Sequence, residues 1–151
     1  MFFKRVVHKP LGKILIDKGI ITPEQLNKVL EIREKQGGLT GKLLVQQGFA
    51  TEEDIMFALM SQYEIPYVPL NSYKVDFELF MNFPISGMEK HEFIPLELIG
   101  SVISVATADP LNNKLEEYIK QETGLDAVTF IATPTEIKNI LMEYKKQYGL
   151  A

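Results

Sequence analysis

One pattern written twice limits what this chain can fold into more than any other feature. The first copy runs Leu11-Gly12-Lys13-Ile14-Leu15-Ile16, then Gly19-Ile20-Ile21-Thr22, then Glu24, Leu26 and Leu30. The second runs Thr40-Gly41-Lys42-Leu43-Leu44-Val45, then Gly48-Phe49-Ala50-Thr51, then Glu53, Ile55 and Leu59. Gly12 recurs as Gly41, Gly19 as Gly48, Thr22 as Thr51 and Leu30 as Leu59, each 29 residues on. A register kept through glycines, threonines and apolar positions marks an internal repeat of one supersecondary unit.

Each copy reads as a short helix, a glycine break and a capped amphipathic helix. Gly12 and Gly41 sit at the apolar runs, where a missing Cβ permits close backbone approach or a positive φ. Gly19 and Gly48 follow Ile14-Leu15-Ile16 and Leu43-Leu44-Val45, which suits the left-handed residue after a helix end. Thr22, with Pro23 next and Gln25 three positions on, has the form of a capping box. Thr51 precedes Glu52, Glu53 and Asp54, and negative charge in a first turn suits the helix dipole. Leu26, Val29 and Leu30 are expected on one apolar face of the first long helix, with Ile55, Met56 and Leu59 on that of the second. Two short-helix–long-helix hairpins packed on each other follow. Arg33, Glu34, Lys35 and Gln36 form a solvated helix end closed by Gly37-Gly38.

After Gln62 the helical period stops. Tyr63 to Tyr73 holds two prolines and reads as an extended connector with a short strand. Short helices are expected over Asp76–Met81 and Ile85–His91. Phe93-Ile94-Pro95-Leu96 reads as a strand, Glu97-Leu98-Ile99-Gly100 as a turn, and Ser101–Thr107 as the returning strand of an antiparallel hairpin. Asp109-Pro110 reads as the start of a helix carrying Leu111, Leu115, Tyr118 and Ile119 and ending near Gly124. Ala127–Ala132 is a further strand, placed so that a right-handed parallel crossover is open to it. Thr133-Pro134-Thr135-Glu136 begins a last helix with Ile137, Ile140, Leu141 and Tyr144 on its apolar face. The expected fold is α+β: a four-helix subdomain of two repeated helical hairpins (1–62), an extended connector (63–75), and a small mixed α/β subdomain with a short sheet (76–151).

Composition narrows the function. Hydrophobic residues make up 46% of 151, enough for a sizeable core, and the formal net charge is −4. An acidic balance argues against a broad nucleic-acid face. The paired helices also invite a helix-turn-helix reading, which the acidic first turns of both long helices disfavour. There are no cysteines, hence neither disulfides nor thiolate metal sites. No apolar run is long enough to insert in a membrane. Residues 1–10, with Phe2, Phe3, Val6 and Val7, read as a lead-in too short for a signal peptide, with docking on the fold preferred over docking on a membrane surface or a partner. The default location is the cytoplasm.

Catalytic constellations are missing. His8 and His91 are the only histidines and lie far apart in sequence. The acids are scattered over helix starts and solvent faces. Gly37-Gly38-Leu39-Thr40-Gly41-Lys42-Leu43 fails as a phosphate-binding loop, because Gln36 stands at the first glycine and Leu43 at the magnesium-binding hydroxyl. No metal site is expected.

The doubled pattern resembles the MshEN-like N-terminal domain of type II secretion and type IV pilus assembly ATPases. That family repeats the form R-L-G-x-x-(L/V/I)-(L/V/I)-x-x-G-(L/V/I)-(L/V/I), closing on L-x-x-x-L-x-x-Q. The second half is similar too, in Ile65-Pro66-Tyr67-Val68-Pro69-Leu70, Ser101–Ala106, Ala108-Asp109-Pro110 and Thr123-Gly124-Leu125. The resemblance implies a non-catalytic interaction or regulatory domain, peripheral to the inner membrane through a secretion or pilus assembly platform protein. If the chain is a fragment, the ATPase domain is a further partner. It also implies an alternative, a sensor that binds cyclic di-GMP on both repeats. The matching positions are Leu11, Gly12, Leu15, Ile16, Gly19, Ile20, Ile21, Leu26 and Leu30 in the first copy. In the second they are Gly41, Leu44, Val45, Gly48, Phe49, Ile55, Leu59 and Gln62. Apolar side chains would cover the guanine faces and backbone N–H groups near glycines would meet the phosphates.

The departures fall on the polar anchors. Pro10 and Leu39 stand where the family has Arg, and Arg33 where it has the first closing Gln. Thr40 and Ala50 stand where larger aliphatics are expected. Neither Pro nor Leu offers a side-chain donor. Losing two charge-assisted hydrogen bonds, at about 1.5–3 kcal/mol each, lowers affinity by roughly two to four powers of ten. Lys9, Lys13, Lys42 and Arg33 are the cations near enough in sequence to compensate.

Overall fold

A computed structural model describes residues 10–110 and 113–150. The lead-in with Phe2, Phe3, Val6, Val7, His8 and Lys9 lies outside the described residues, as does Leu111. The described part holds eight helices and a three-stranded sheet, an α+β fold. It divides into two compact units between Glu64 and Ile65.

The first unit contains α1 (Leu11–Asp17), α2 (Pro23–Gln36), α3 (Thr40–Gln46) and α4 (Glu52–Tyr63). The repeat is reproduced almost atom for atom at the turns. Gly19 and Gly48 adopt φ of 74° and 76°. Gly19 N–H donates to Ile16 O (2.9 Å) and Ile20 N–H to Leu15 O (2.9 Å). In the second copy Gly48 N–H donates to Val45 O (3.0 Å) and Phe49 N–H to Leu44 O (2.9 Å). Both are Schellman closures, in which a left-handed residue lets two orphan carbonyls find donors. Both long helices begin with a reciprocal capping box. Gln25 N–H donates to Thr22 Oγ1 (3.2 Å) and Thr22 N–H to Gln25 Oε1 (2.9 Å). Thr51 and Asp54 do the same, at 3.1 and 2.9 Å. The second box went unforeseen because Asp, not Glu or Gln, closes it.

Gly12 and Gly41 work by close approach, not by positive φ. A Cβ at Gly12 would lie 2.7 Å from Leu26 Cδ1, and one at Gly41 3.0 Å from Ile55 Cγ2. The helix pairing is reciprocal across the copies: α1 runs along α4, and α2 along α3. Each short helix thus packs on the long helix of the other copy as well as meeting its own, through Gly12 on Leu26 and Gly41 on Ile55. Ile14, Leu15, Ile21, Val29, Leu43, Leu44, Ala50 and Ala58 form the core. Met56 and Leu59 are buried as expected. Leu30, expected inside, is 42% exposed, because Val29 takes the core-facing position of that turn.

The second unit contains α5 (Phe77–Phe80), α6 (Ile85–His91), β1 (Phe93–Ile99), β2 (Val102–Thr107), α7 (Asn113–Thr123), β3 (Asp126–Ile131) and α8 (Pro134–Tyr148). The sheet order is β1-β2-β3, with β1 antiparallel and β3 parallel to β2. The hairpin corrects the expected turn at Glu97–Gly100. Glu97, Leu98 and Ile99 pair with Ser104, Ile103 and Val102, and the register shifts between Pro95 and Glu97. The bulge hides the strand alternation, so the continuation reads as a turn. The chain reverses instead at Gly100, whose φ of 59° permits so short a loop. Pro95 is tolerated because β1 is an edge strand. Asp109-Pro110 precedes α7, which is described from Asn113.

Residues 65–75 are built into this second unit. Ile131 N–H donates to Pro66 O and Val68 N–H to Ile131 O, both at 2.9 Å. Leu70 belongs to the core with Phe80, Met88, Phe93, Ile94, Ile103, Val105, Leu115, Ile119 and Ile137. Glu136 fastens the segment. Its buried carboxylate accepts from Tyr67 Oη (2.9 Å) and Leu70 N–H (3.1 Å) through Oε2. Oε1 accepts from the N–H and hydroxyl of Thr133, both at 3.0 Å. A buried carboxylate supplied with four donors meets the rule that burial must be met by hydrogen bonds.

Candidate ligand-binding frame and family

The nominated positions all lie in the first unit. A Cβ built on Gly41 would stand 3.5 Å from Leu11 Cδ2, so the starts of α1 and α3 approach each other. Gly12 and Gly41 lie in the first turns of those helices. Leu11, Ile16, Ile20, Val45 and Phe49 are half-buried, and Gly19 and Gly48 are exposed at the two closures. Leu15 and Leu44 are fully buried, so their place is in the packing beneath the frame. Pro10 and Leu39 occupy the N-cap positions of α1 and α3, and neither makes a side-chain cap bond.

Arg33 and Gln62 stand 29 residues apart, at equivalent places near the ends of α2 and α4. Their surroundings differ. Arg33 is exposed and donates from a guanidinium nitrogen to Thr40 Oγ1 at 3.1 Å. Gln62 is half-buried. Lys28 was not foreseen: its Nζ stands 5.7 Å from the centre of the Phe49 ring, a cation–π contact between the copies. The repeat register gave no signal for it, since Lys28 corresponds to Phe57 and Phe49 to Ile20. The frame is therefore symmetric in backbone and asymmetric in side chains. It offers half-buried apolar side chains, exposed glycine turns and few polar groups.

The titratable groups elsewhere are tied to packing. Burial lowers the pKa of His91, assisted by the charges of Lys90 and Lys114. Its ring lies 4.5 Å from that of Tyr118. Burial raises the pKa of Tyr118, assisted by Glu122. Among the described residues no three metal-ligating side chains gather, and no helix is long and apolar enough to cross a membrane.

Fold and frame together define an α+β domain whose helical half is an internally doubled unit. Residues 63–148 match the MshEN domain, more than half of the chain, and the protein belongs to that family. The match lies on the second unit, whereas the repeat carries the most visible pattern. A second comparison reaches the repeat as well. The chain is 29% identical over 139 residues to the type IV pilus assembly ATPase PilB of Myxococcus xanthus (strain DK1622), covering 92% of this chain and 25% of PilB. It thus spans about a quarter of that relative's length.

The fold is shared with a structure of MshE with cdg (cyclic di-GMP). The TM-score is 0.75 at 22% identity, over 91% of this chain and 99% of that one. It is also shared with the N-terminal domain of XpsE, with a TM-score of 0.72 at 14% identity over 93% and 97% of the two chains. The expected relationship to the N-terminal domains of secretion and pilus ATPases holds.

Proposed function

We propose that this chain is the interaction and regulatory domain of a type II secretion or type IV pilus assembly ATPase, docking the motor on an inner-membrane platform protein. Membership of the MshEN family carries this reading, since a relative of the same family is a pilus assembly ATPase of about four times the aligned length. A domain with its own cores and no acid–base or phosphate-binding constellation in its sequence suits a connecting role. The test is co-purification from the native host with the platform protein's cytoplasmic region as bait. Recovery of the chain that survives moderate salt is expected. Loss of the chain from every such eluate would count against docking.

A second reading is favoured by the likeness to MshE with cdg and by the doubled frame. Here the chain binds cyclic di-GMP over Leu11, Gly12, Ile16, Gly19 and Ile20 on one side and Gly41, Val45, Gly48 and Phe49 on the other. Leu15 and Leu44 shape the frame from within, and Arg33 and Gln62 serve as its remaining polar groups. Pro10 and Leu39 withhold two donors, so binding is weakened by roughly two to four powers of ten relative to a frame carrying both arginines. Isothermal titration with cyclic di-GMP, against linear di-GMP and GTP, measures this. Pro10→Arg with Leu39→Arg should tighten binding selectively for the cyclic compound. If neither the native chain nor the double variant binds, the frame is a packing device only.

A further inference from the structure

The two long helices hold the same place in the repeat, so each is a control for the other. On α2 an outward stripe is made by Glu24, Lys28, Glu31 and Lys35, all exposed. A glutamate four residues before a lysine is the spacing at which opposite charges support a helix. Glu24 precedes Lys28 in this way and Glu31 precedes Lys35, so the charges of the stripe cancel. The same positions 29 residues on are Glu53, Phe57, Met60 and Glu64. Both lysines are replaced, and α4 carries no basic residue along its length.

Phe57 is 56% exposed, and among the described phenylalanines it alone is exposed. A single apolar side chain on a surface is ordinary. Phe57 differs because its counterpart is a lysine. Lys28 shows that this position of the unit accepts a charged side chain, and lysine is also the better helix former. A lysine at 57 would stand four residues after Glu53, as Lys28 stands after Glu24. The fold therefore does not require an aromatic residue there. Met60, one turn on, is half-buried beside it, and Glu53, one turn before, is exposed. Glu64 has a partner within the chain, so the face rests on the other three residues.

We propose that this outward face of α4 docks a cationic amphipathic helix of a partner protein. Phe57 and Met60, three residues apart, make a short apolar ridge of the kind a second helix packs against. Aromatic residues and methionine are enriched at the cores of interfaces, and methionine adapts its shape to what it meets. Glu53 stands with Glu52 and Asp54 in the first turn of α4. Their negative field selects lysine or arginine on the incoming helix and speeds its encounter. The proposal gives the docking reading above a face and a partner chemistry, and rests on that reading for the partner's identity.

The test titrates the full chain, isotope-labelled for nuclear magnetic resonance, with two probes. One is a designed amphipathic peptide of leucine and lysine, with a leucine–glutamate peptide as its control. The other is the cytoplasmic region of the host's platform protein. The leucine–lysine peptide should shift the amide signals of Glu53, Phe57, Met60 and Ser61 and leave those of Glu24, Lys28 and Glu31 in place. The leucine–glutamate peptide should shift neither set. Phe57→Lys, which copies α2, should keep its thermal midpoint and weaken both probes about tenfold or more. Phe57→Ala should act in the same direction without adding a charge, and it decides if Phe57→Lys fails to fold. Glu53→Gln should weaken binding about two- to fivefold and flatten its salt dependence. Leu30→Ser, at an exposed apolar residue of α2, should change nothing.

The face is overturned if neither probe binds, if the shifts spread equally over α2 and α4, or if both Phe57 variants bind as the native chain does. It is also overturned if the native chain self-associates and Phe57→Lys abolishes this, since the occupant is then a second copy. Should the platform region bind the native chain and both Phe57 variants alike, docking stands and this face is not its site. Should the peptide bind on α4 while the platform region binds nowhere, the face stands and the docking reading falls.

Discussion

A pair of glycines in the first unit and a single glycine in the second are there for opposite reasons. In the first, Gly19 and Gly48 are left-handed, and no other atom comes within 4 Å of where a Cβ would stand. They are there for their backbone, and the repeat copies them because a turn is a local device. In the second, Gly87 is buried within α6, and a Cβ there would collide with the hydroxyl and ring of Tyr118 on α7. It is there for the space, which a residue distant in sequence fills. The first unit is thus assembled mainly from local signals written twice. The second depends on single contacts between distant residues, and those contacts should be its points of failure.

The largest effect is expected at Glu136. Glu136→Ala strands the buried N–H groups of Leu70 and Thr133 and the hydroxyl of Tyr67, and should cost about 3–4 kcal/mol. Hydrogen exchange resolved along the sequence checks it. Protection should collapse over residues 65–75 and the second unit while the first unit keeps its own. Equal loss in both units would mean that the two cores do not fail separately, and the contrast drawn above would fall.

Gly87→Ala should come next, at about 2–3 kcal/mol, the cost of forcing a methyl into a packed contact. Because Tyr118 supplies that contact, Tyr118→Ala should recover a large part of the loss in a double-mutant cycle. Purely additive effects would show that Gly87 is needed for its backbone after all. Gly19→Ala and Gly48→Ala should each cost about 1 kcal/mol, since an Ala side chain disfavours their φ while meeting no neighbour. Their equality is the sharper statement. Chemical denaturation followed on the first unit should give the same shift for both, and a twofold difference would show that the repeat is symmetric in sequence only.

How much of this was legible follows the same division. Helix starts and stops in the first unit were read directly, since Thr22, Gly19 and Gly48 act within a turn of themselves. The packing of each short helix across to the other copy was not legible, because apolar spacing tells which face of a helix is covered and not by which helix. The same gap explains Leu30, placed by periodicity on a face that Val29 already fills. In the second unit the bulge near Leu96 disguised the end of β1. Glu136 was recognised as part of a cap, while its grip on Tyr67 and Leu70 joins residues far apart in sequence and leaves no pattern. In the candidate frame the repeat marked the glycines and apolar positions, and only the family resemblance offered them as a ligand site. The depth of Leu15 and Leu44, the bond from Arg33 to Thr40 and the cation over Phe49 depend on packing across the copies.

The smallest expected effect bears most directly on what the second unit's tight contact is for. Among the described residues the Tyr118 hydroxyl is buried and has no hydrogen-bond partner. Such a group carries a desolvation penalty that no bond offsets, typically about 1–3 kcal/mol. Tyr118→Phe keeps the ring against His91, Phe93 and Gly87 and removes only that oxygen. If Tyr118 is there for packing, the variant should be unchanged or up to about 1 kcal/mol more stable in thermal unfolding. Its high-pH behaviour should change with it. The hydroxyl's pKa is raised in the folded state, so the unfolded chain releases that proton first, and the native protein loses stability as pH climbs through the ordinary tyrosine range. Tyr118→Phe removes this share of the alkaline loss. A variant clearly less stable at neutral pH would mean that the hydroxyl is bonded in solution, and that Gly87 is small to admit its partner as well as the ring.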